Sequence, residues 1–145
     1  MPPQFTYTRR VQFSDTDMAG IVHFANFYRF MEEAEHEMFR SLRLKIVENL
    51  PDGTVVGWPR VRCSCSFEAP AYFDDLVEVD VTITRVGVKS LTMSFVFRRG
   101  ETRLATGDLK TVFCRFHGAG KFESIAIPPE YAEKLTESPR EKKHA

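Results

Sequence analysis

Two carboxylates stand two residues apart in a turn-forming run, Asp15-Thr16-Asp17, and Gly20 follows three residues after the second. The chain then turns apolar through Ile21, Val22, His23, Phe24 and Ala25 and enters a stretch with helical periodicity. A carboxylate just ahead of a helix start faces backbone N–H groups that have no intrahelical partner. Such donors can hold the negative charge that develops on a carbonyl oxygen under attack. The carboxylate itself can attack that carbonyl or activate water against it. Carboxylate and aimed amides together suffice for acyl transfer. On composition alone an ordinary loop is the more economical reading, because Asp and Gly are common turn formers.

The flanking sequence supplies the elements that would position this kit. Phe5, Tyr7, Val11 and Phe13 mark one face of a first strand over residues 5–13, interrupted by Arg9. A helix is expected from about Ala25 to Leu42, where Phe27, Phe30, Met31, Ala34, Met38 and Leu42 fall on one face. Glu32, Glu33, Glu35 and Glu37 precede Arg40 and Arg43, an order that suits the helix dipole, although Arg29 runs against it. Asn26 is the candidate N-cap, and Pro51-Asp52-Gly53 marks a loop. Four strands follow. Val61, Cys63, Cys65 and Phe67 alternate with Arg60, Arg62, Ser64, Ser66 and Glu68; Val77, Val79, Val81 and Ile83 form the next row; Leu91, Met93, Phe95 and Phe97 the third. A long strand is expected over Thr106–Phe116, apolar at Val112, Cys114 and Phe116, with Gly87 and Gly100-Glu101 at tight connections. One helix followed by strands in antiparallel succession is α+β, with the helix on one face of the sheet.

A chain of 145 residues with 43% hydrophobic content fits one cored domain, expected over 1–136. The charged tail 137–145 is expected to be mobile. Twenty cationic residues against twenty acidic ones argue against a nucleic-acid partner, which needs a local cationic excess. No segment resembles a signal peptide, and no run approaches the roughly 18 apolar residues of a membrane span, so the expected location is the cytoplasm. Cys63 and Cys65 share one face of a strand, where a bridge would be strained; reduced thiols buried in the core are expected. No metal is expected, because Cys-x-Cys without a second pair lacks zinc-site spacing. Thirteen of the eighteen aromatic residues are Phe, which has no polar handle and suits a core, an interface or an apolar pocket.

The run Asp15-Thr16-Asp17-Met18-Ala19-Gly20-Ile21-Val22-His23-Phe24-Ala25-Asn26-Phe27 resembles the signature of hotdog-fold acyl-CoA thioesterases, in particular the 4-hydroxybenzoyl-CoA thioesterase group. The likeness extends from about Tyr7 to Leu135, including Lys89-Ser90 and the stretch from Ile125 to Tyr131. The resemblance implies a curved five-stranded antiparallel sheet wrapped around one long central helix. It implies hydrolysis of an aromatic or short-to-medium acyl-CoA without cofactor. Asp17 would be nucleophile or general base, and the backbone amides of Phe24 and Ala25 the oxyanion hole. It further implies a site shared between subunits, with a dimer as the minimum and a tetramer of paired dimers.

The remaining residues are weighed against plainer roles. Asp15 organises the loop, and Gly20 supplies an unusual backbone angle or a close approach to ligand. His23 is a pocket-wall residue before it is a catalytic assistant; relatives with a functional His carry it one place later, at Phe24. Asn26 caps the helix or orients Asp17. Phe27 faces the acyl pocket, and Glu32 either lines that pocket or is a solvated helix Glu. Lys89 and Ser90 match positions that hold the nucleotide end of CoA, although Gly87-Val88 precede them where the relative is more basic, and a solvated hairpin Lys is the alternative. His36, His117 and His144 have no motif partner. The rival functions are an acyl-carrier-protein thioesterase, a hotdog dehydratase and a non-catalytic acyl-CoA binder.

Overall fold

The computed structural model describes residues 2–138. Strand β1 (Phe5–Arg10) leads through a 3-10 turn (Phe13–Asp15) to the long helix α1 (Phe24–Ser41). Strands β2 (Glu48–Asn49), β3 (Val55–Gly57), β4 (Arg60–Phe67), β5 (Leu76–Val86), β6 (Ser90–Arg99), β7 (Thr102–Val112), β8 (Cys114–Phe116) and β9 (Phe122–Ser124) follow, then the short helix α2 (Pro129–Ala132). The main sheet has five strands in the order β1-β5-β6-β7-β4, and every neighbour pairs antiparallel. The short strands form a second sheet, β2-β3-β8-β9.

The alternation in the sequence explains the packing. Val77, Val79, Val81 and Ile83 of β5 and Leu91, Met93, Phe95 and Phe97 of β6 are buried on the face that meets α1. The helix answers with Phe27, Phe30, Met31, Ala34 and Met38, all buried, so each face removes the other from water. Burying one such side chain is worth about 1.5–3 kcal/mol. The closest approach is at Gly107 of β7. A Cβ there would stand 2.8 Å from Met31 Sδ and 3.1 Å from the Ser64 carbonyl oxygen, so a larger residue would push the Met31 side chain aside and crowd β4.

Several expected boundaries move. β1 ends at Arg10 instead of residue 13, because Val11 leaves the ladder to exchange backbone hydrogen bonds with Asp74 and Asp75. The long strand expected over 106–116 starts at Thr102 and breaks at Phe113. The Phe113 N–H donates to the Lys89 carbonyl, and its ring packs between Trp58 and Tyr131, which swings β8 into the second sheet beside β3. β7 therefore presents Ala105, Gly107, Leu109 and Thr111 to the core, out of phase with the row expected from Val112.

β4 departs most. It is an edge strand, so Cys63 is exposed and Cys65 only half-buried, not core residues as their alternation suggests. A β-bulge also interrupts its pairing: Arg60 faces Thr111 and Arg62 faces Lys110, with Val61 left unpaired between them. The bulge reverses the alternation, turning Arg60 inward and leaving Val61 exposed.

At the far end of the fold the expected tail begins attached, with the Val86 N–H donating to the Glu137 carboxylate and the Ser138 N–H to the Ile83 carbonyl. Residues 139–145, His144 among them, lie outside the described residues.

Gly107→Ala is expected to lower stability by about 1–3 kcal/mol through overpacking. Combined with Met31→Ala the losses should fall short of additive, because the second change removes the contact with Met31 while that with the Ser64 carbonyl remains. Denaturant unfolding of the two single variants and the double variant checks this.

Candidate active site

The loop that carries the two aspartates is tied down from three sides. On β1, the expected inward row does include Arg9: its guanidinium lies 5.0 Å over the Phe30 ring, donates to Glu33 at 2.9 Å and pairs with Asp15 at 3.3 Å. Tyr7 donates its hydroxyl to the same Glu33 at 2.7 Å. Asp15 is buried, and its carboxylate accepts the Gln12 N–H at 2.7 Å. Its main-chain oxygen accepts both the His23 N–H at 2.9 Å and the Asn26 side-chain amide at 2.8 Å. From the third side, the Val22 N–H donates to the Ala71 carbonyl and Ile21 bridges to Tyr72.

The helix mouth differs in detail from the sequence expectation. α1 starts at Phe24, and its N-cap is His23, not Asn26. The His23 Nδ1 accepts the Ala25 N–H at 3.1 Å, which assigns the ring proton of the neutral tautomer to Nε2. The ring stacks on Phe24, with centroids 4.7 Å apart. Asn26 sits within the first turn, buried, with its backbone N–H on the His23 carbonyl. The Ala25 amide is therefore engaged by imidazole, whereas the Phe24 amide meets no acceptor among the described residues.

Asp17 opens onto a cleft of about 480 Å³ walled by Ile21, Val22, Phe24, Phe27, Phe67 and Pro70. Phe27 forms its floor, edge-on to Phe67 and Phe97 at 5.2 Å each. One Asp17 oxygen accepts the Ala19 N–H at 2.9 Å, the Asp17 N–H donates to the Ile21 carbonyl, and the Gly20 N–H returns to the Asp17 carbonyl. Gly20 closes this turn at φ +80°, with open space where a Cβ would project; its backbone angle, not a close contact, requires glycine. The second Asp17 oxygen has no protein donor among the described residues. Glu68 stands at the rim, paired with Arg103 at 2.7 Å.

The structure thus brings Asp17, Phe24 and Phe27 to one cleft, with Asp15, Gly20, His23, Ala25 and Asn26 as its frame. It does not bring Glu32, Lys89 or Ser90 there. Glu32 is 61% exposed and lines a separate cavity of about 410 Å³ beside Trp58 and Arg60. Lys89 is exposed in the turn that follows β5, while Asp17 lies beyond the β1 terminus that pairs with Leu76, at the opposite end of that strand. Eleven residues at roughly 3.3 Å per residue put these ends some 30 Å apart. Sequence reasoning missed the buried Glu35, which sits on the core face of α1 and clamps Arg60 at 3.0 and 2.5 Å. Its position one residue after Ala34 and three before Met38 was the available signal.

Comparison with known proteins places this arrangement. Residues 19–106 match the family described as the thioesterase superfamily. The chain belongs to that superfamily. It is 29% identical over 143 residues to the 4-hydroxybenzoyl-CoA thioesterase of Pseudomonas sp. strain CBS-3, covering 92% of this chain and 98% of that one. The crystal structure of Slr0204, a 1,4-dihydroxy-2-naphthoyl-CoA thioesterase from Synechocystis, superposes with a TM-score of 0.77 at 27% identity, over 88% of this chain and 91% of that one. BH1999, a gentisyl-coenzyme A thioesterase, does so with a TM-score of 0.75 at 30% identity, over 90% and 98%. The fold of this thioesterase is accordingly the hotdog, as the sequence resemblance implies. Among the described residues there is no cluster of three metal-ligating side chains, and no helix is long and apolar enough to cross a membrane.

Burial and the bond to Glu33 push the Tyr7 hydroxyl up to about 12 from its ordinary 10.0. A raised folded pKa means this contribution to stability is complete below pH 10 and is lost as pH climbs through about 12. Tyr7→Phe is expected to flatten the alkaline fall of the denaturation midpoint over that window.

Proposed function

We propose that this thioesterase hydrolyses an aromatic acyl-CoA to the free acid and CoA, with Asp17 as the reacting carboxylate. One observation carries the reading: an Asp17 oxygen without a protein donor and an unpaired helix-mouth amide, at Phe24, belong to the same apolar cleft. The thioester carbonyl oxygen sits at the Phe24 N–H, where the helix dipole favours developing negative charge. The Ala25 amide adds to this hole when the His23 ring turns aside. Asp17 then attacks the carbonyl carbon to form an anhydride, which water opens, or takes a proton from a water that attacks directly. In either course the C–S bond breaks, CoA leaves as thiolate and is protonated, and water supplies the new acid oxygen. The relatives named above act on hydroxylated aromatic thioesters, and the Phe24, Phe27 and Phe67 walls suit a flat acyl group.

An open cleft needs a second wall, and β4 is where a second copy fits. It is an unpaired edge of eight residues with exposed Val61, Cys63 and Phe67. Antiparallel pairing of two such edges about a two-fold axis sets the Arg60 end of one strand beside the Phe67 end of the other. The Glu32–Arg60 cavity of one protomer then adjoins the Asp17 cleft of its partner. Some 30 Å from Asp17 within one protomer, Lys89 and Ser90 are better placed to meet a CoA phosphate bound at the site of another chain, in a dimer or in a tetramer of paired dimers.

A dehydratase reading is disfavoured, since His23 caps the helix and does not line the cleft. Release of free thiol from a panel of acyl-CoAs, with Asp17→Asn beside the wild type, tests the proposal. The variant should keep its circular dichroism and lose about 10²–10⁴-fold in kcat. Near wild-type kcat in Asp17→Asn would overturn the role of Asp17. Binding without thiol release, or turnover confined to acyl-carrier-protein thioesters, would overturn the substrate assignment.

A further inference from the structure

Arg9 breaks the apolar face of β1, yet its side chain points with that face, over the Phe30 ring of α1. A methionine would cover that ring as well, so packing does not account for the guanidinium. Its polar contacts do. Nε donates to Glu33 at 2.9 Å, Nη1 donates to the Arg10 carbonyl at 2.5 Å, and Nη2 faces the Asp15 carboxylate at 3.3 Å. The three nitrogens thus reach α1, the end of β1 and the aspartate loop at once, which a lysine ammonium cannot do. Glu33 is held in turn by the Tyr7 hydroxyl, on the same oxygen that accepts from Arg9. Arg9 and Asp15 are largely shielded from solvent, where such a pair is screened less than at a surface.

Asp17 has no hydrogen bond of its own to β1 or α1 among the described residues. Its N–H, its carbonyl and one carboxylate oxygen bond to Ile21, Gly20 and Ala19, which closes a turn over residues 17–21. That turn hangs between two anchors. Downstream, Val22 and Ile21 are tied to Ala71 and Tyr72, and Val22 bridges to Thr16. Upstream the anchor is Asp15, whose carbonyl meets α1 through His23 and Asn26 and whose carboxylate meets Gln12 and Arg9. Gln12 belongs to the same loop, so it is Arg9 that ties the Asp15 side chain to both flanking elements.

We propose that Arg9 is a positioning residue for the hydrolysis, and that its fork on Glu33 and Asp15 sets the Asp17 turn in register with the helix-mouth amide of Phe24. Arg9 touches no substrate and does not line the Asp17 cleft. Attack at a carbonyl carbon and capture of the charge on its oxygen need carboxylate and amide placed together, and a misplacement of about 1 Å can cost about 10²-fold in rate. Binding of the acyl group to the cleft walls makes no such demand. The inference rests on the proposed hydrolysis with Asp17 as the reacting carboxylate.

Steady-state kinetics with 4-hydroxybenzoyl-CoA, well below the denaturation midpoint, test it in the wild type, Arg9→Met, Arg9→Lys, Glu33→Gln and the double variant Arg9→Met/Glu33→Gln. Arg9→Met keeps an unbranched stem on Phe30 and removes the fork. It should keep its circular dichroism and lose about tenfold or more in kcat, with KM within about twofold of the wild type. Arg9→Lys should recover only part of that loss, because one ammonium cannot serve both carboxylates. The double variant should be no slower than Arg9→Met, since Glu33 acts through Arg9. A lowered midpoint with wild-type kcat, or a loss carried by KM, would overturn the assignment. Should the wild type leave the thioester uncleaved, or Asp17→Asn match the wild type, the hydrolysis reading fails. Amide hydrogen exchange then decides the placement separately. Faster exchange at Asp17 and His23 in Arg9→Met, with the strands unchanged, supports it; unchanged exchange there overturns it.

Discussion

A single backbone oxygen, that of Asp15, accepts two hydrogen bonds from the start of α1: the His23 N–H and the Asn26 side-chain amide. Because both donors belong to one rigid element, the carbonyl fixes the aspartate loop in distance and in angle relative to the helix mouth. Asp17 is only two residues further on and inherits that placement. The carboxylate of Asp15 faces the other way, to Gln12 and Arg9, and so links the same residue to β1 and, through Glu33, to the outer face of the helix. Asp17 is left nearly free of such duties, with one oxygen on Ala19 and the other open to the cleft. Two identical side chains two residues apart thus have different surroundings: the Asp15 carboxylate faces the frame and the Asp17 carboxylate faces the cleft.

The same economy governs the sheet. Its helix-facing interior is sealed over β5 and β6, where alternate residues are fully buried, and it is left unsealed at β4. An edge strand that exposes apolar side chains is normally a hazard, blunted by charge, by bulges or by a partner. Here Arg60 and its bulge occupy one end of the strand and the Asp17 cleft the other. Two copies related by a two-fold axis would cover each other's exposed rows and complete each other's sites in one step. Lys89 and Asp17 stand roughly 30 Å apart along β5, so the two do not meet within one protomer.

How much of this could be read in the sequence depended on whether a feature was local. The rows of β5 and β6 and the apolar face of α1 follow from period alone, and the run from Asp15 to Phe27 led to the hotdog fold and the thioesterase superfamily. Period failed where tertiary contacts override it. The bulge at Val61 depends on β7, not on β4, so strict alternation put Arg60 outside with Arg62. Phe113 breaks a strand that propensity would continue, because Trp58 and Tyr131 hold its ring. Cys63 and Cys65 alternate like core residues yet lie at an edge, which only the strand order reveals. In the sequence Glu35 stands out only as one of four helix acids that precede Arg40 and Arg43, since its partner is 25 residues away. His23 as N-cap hinges on a ring nitrogen accepting from Ala25, a role that residue type alone does not announce.

Under the proposed function each chain carries half of a site, and catalysis requires two copies joined along β4. Specific activity on an aromatic acyl-CoA, followed together with molar mass by light scattering across a dilution series, tests this most directly. Activity is expected to fall in step with the dimeric fraction and to return on reconcentration. Specific activity that stays constant while the protein dissociates to monomers would contradict it.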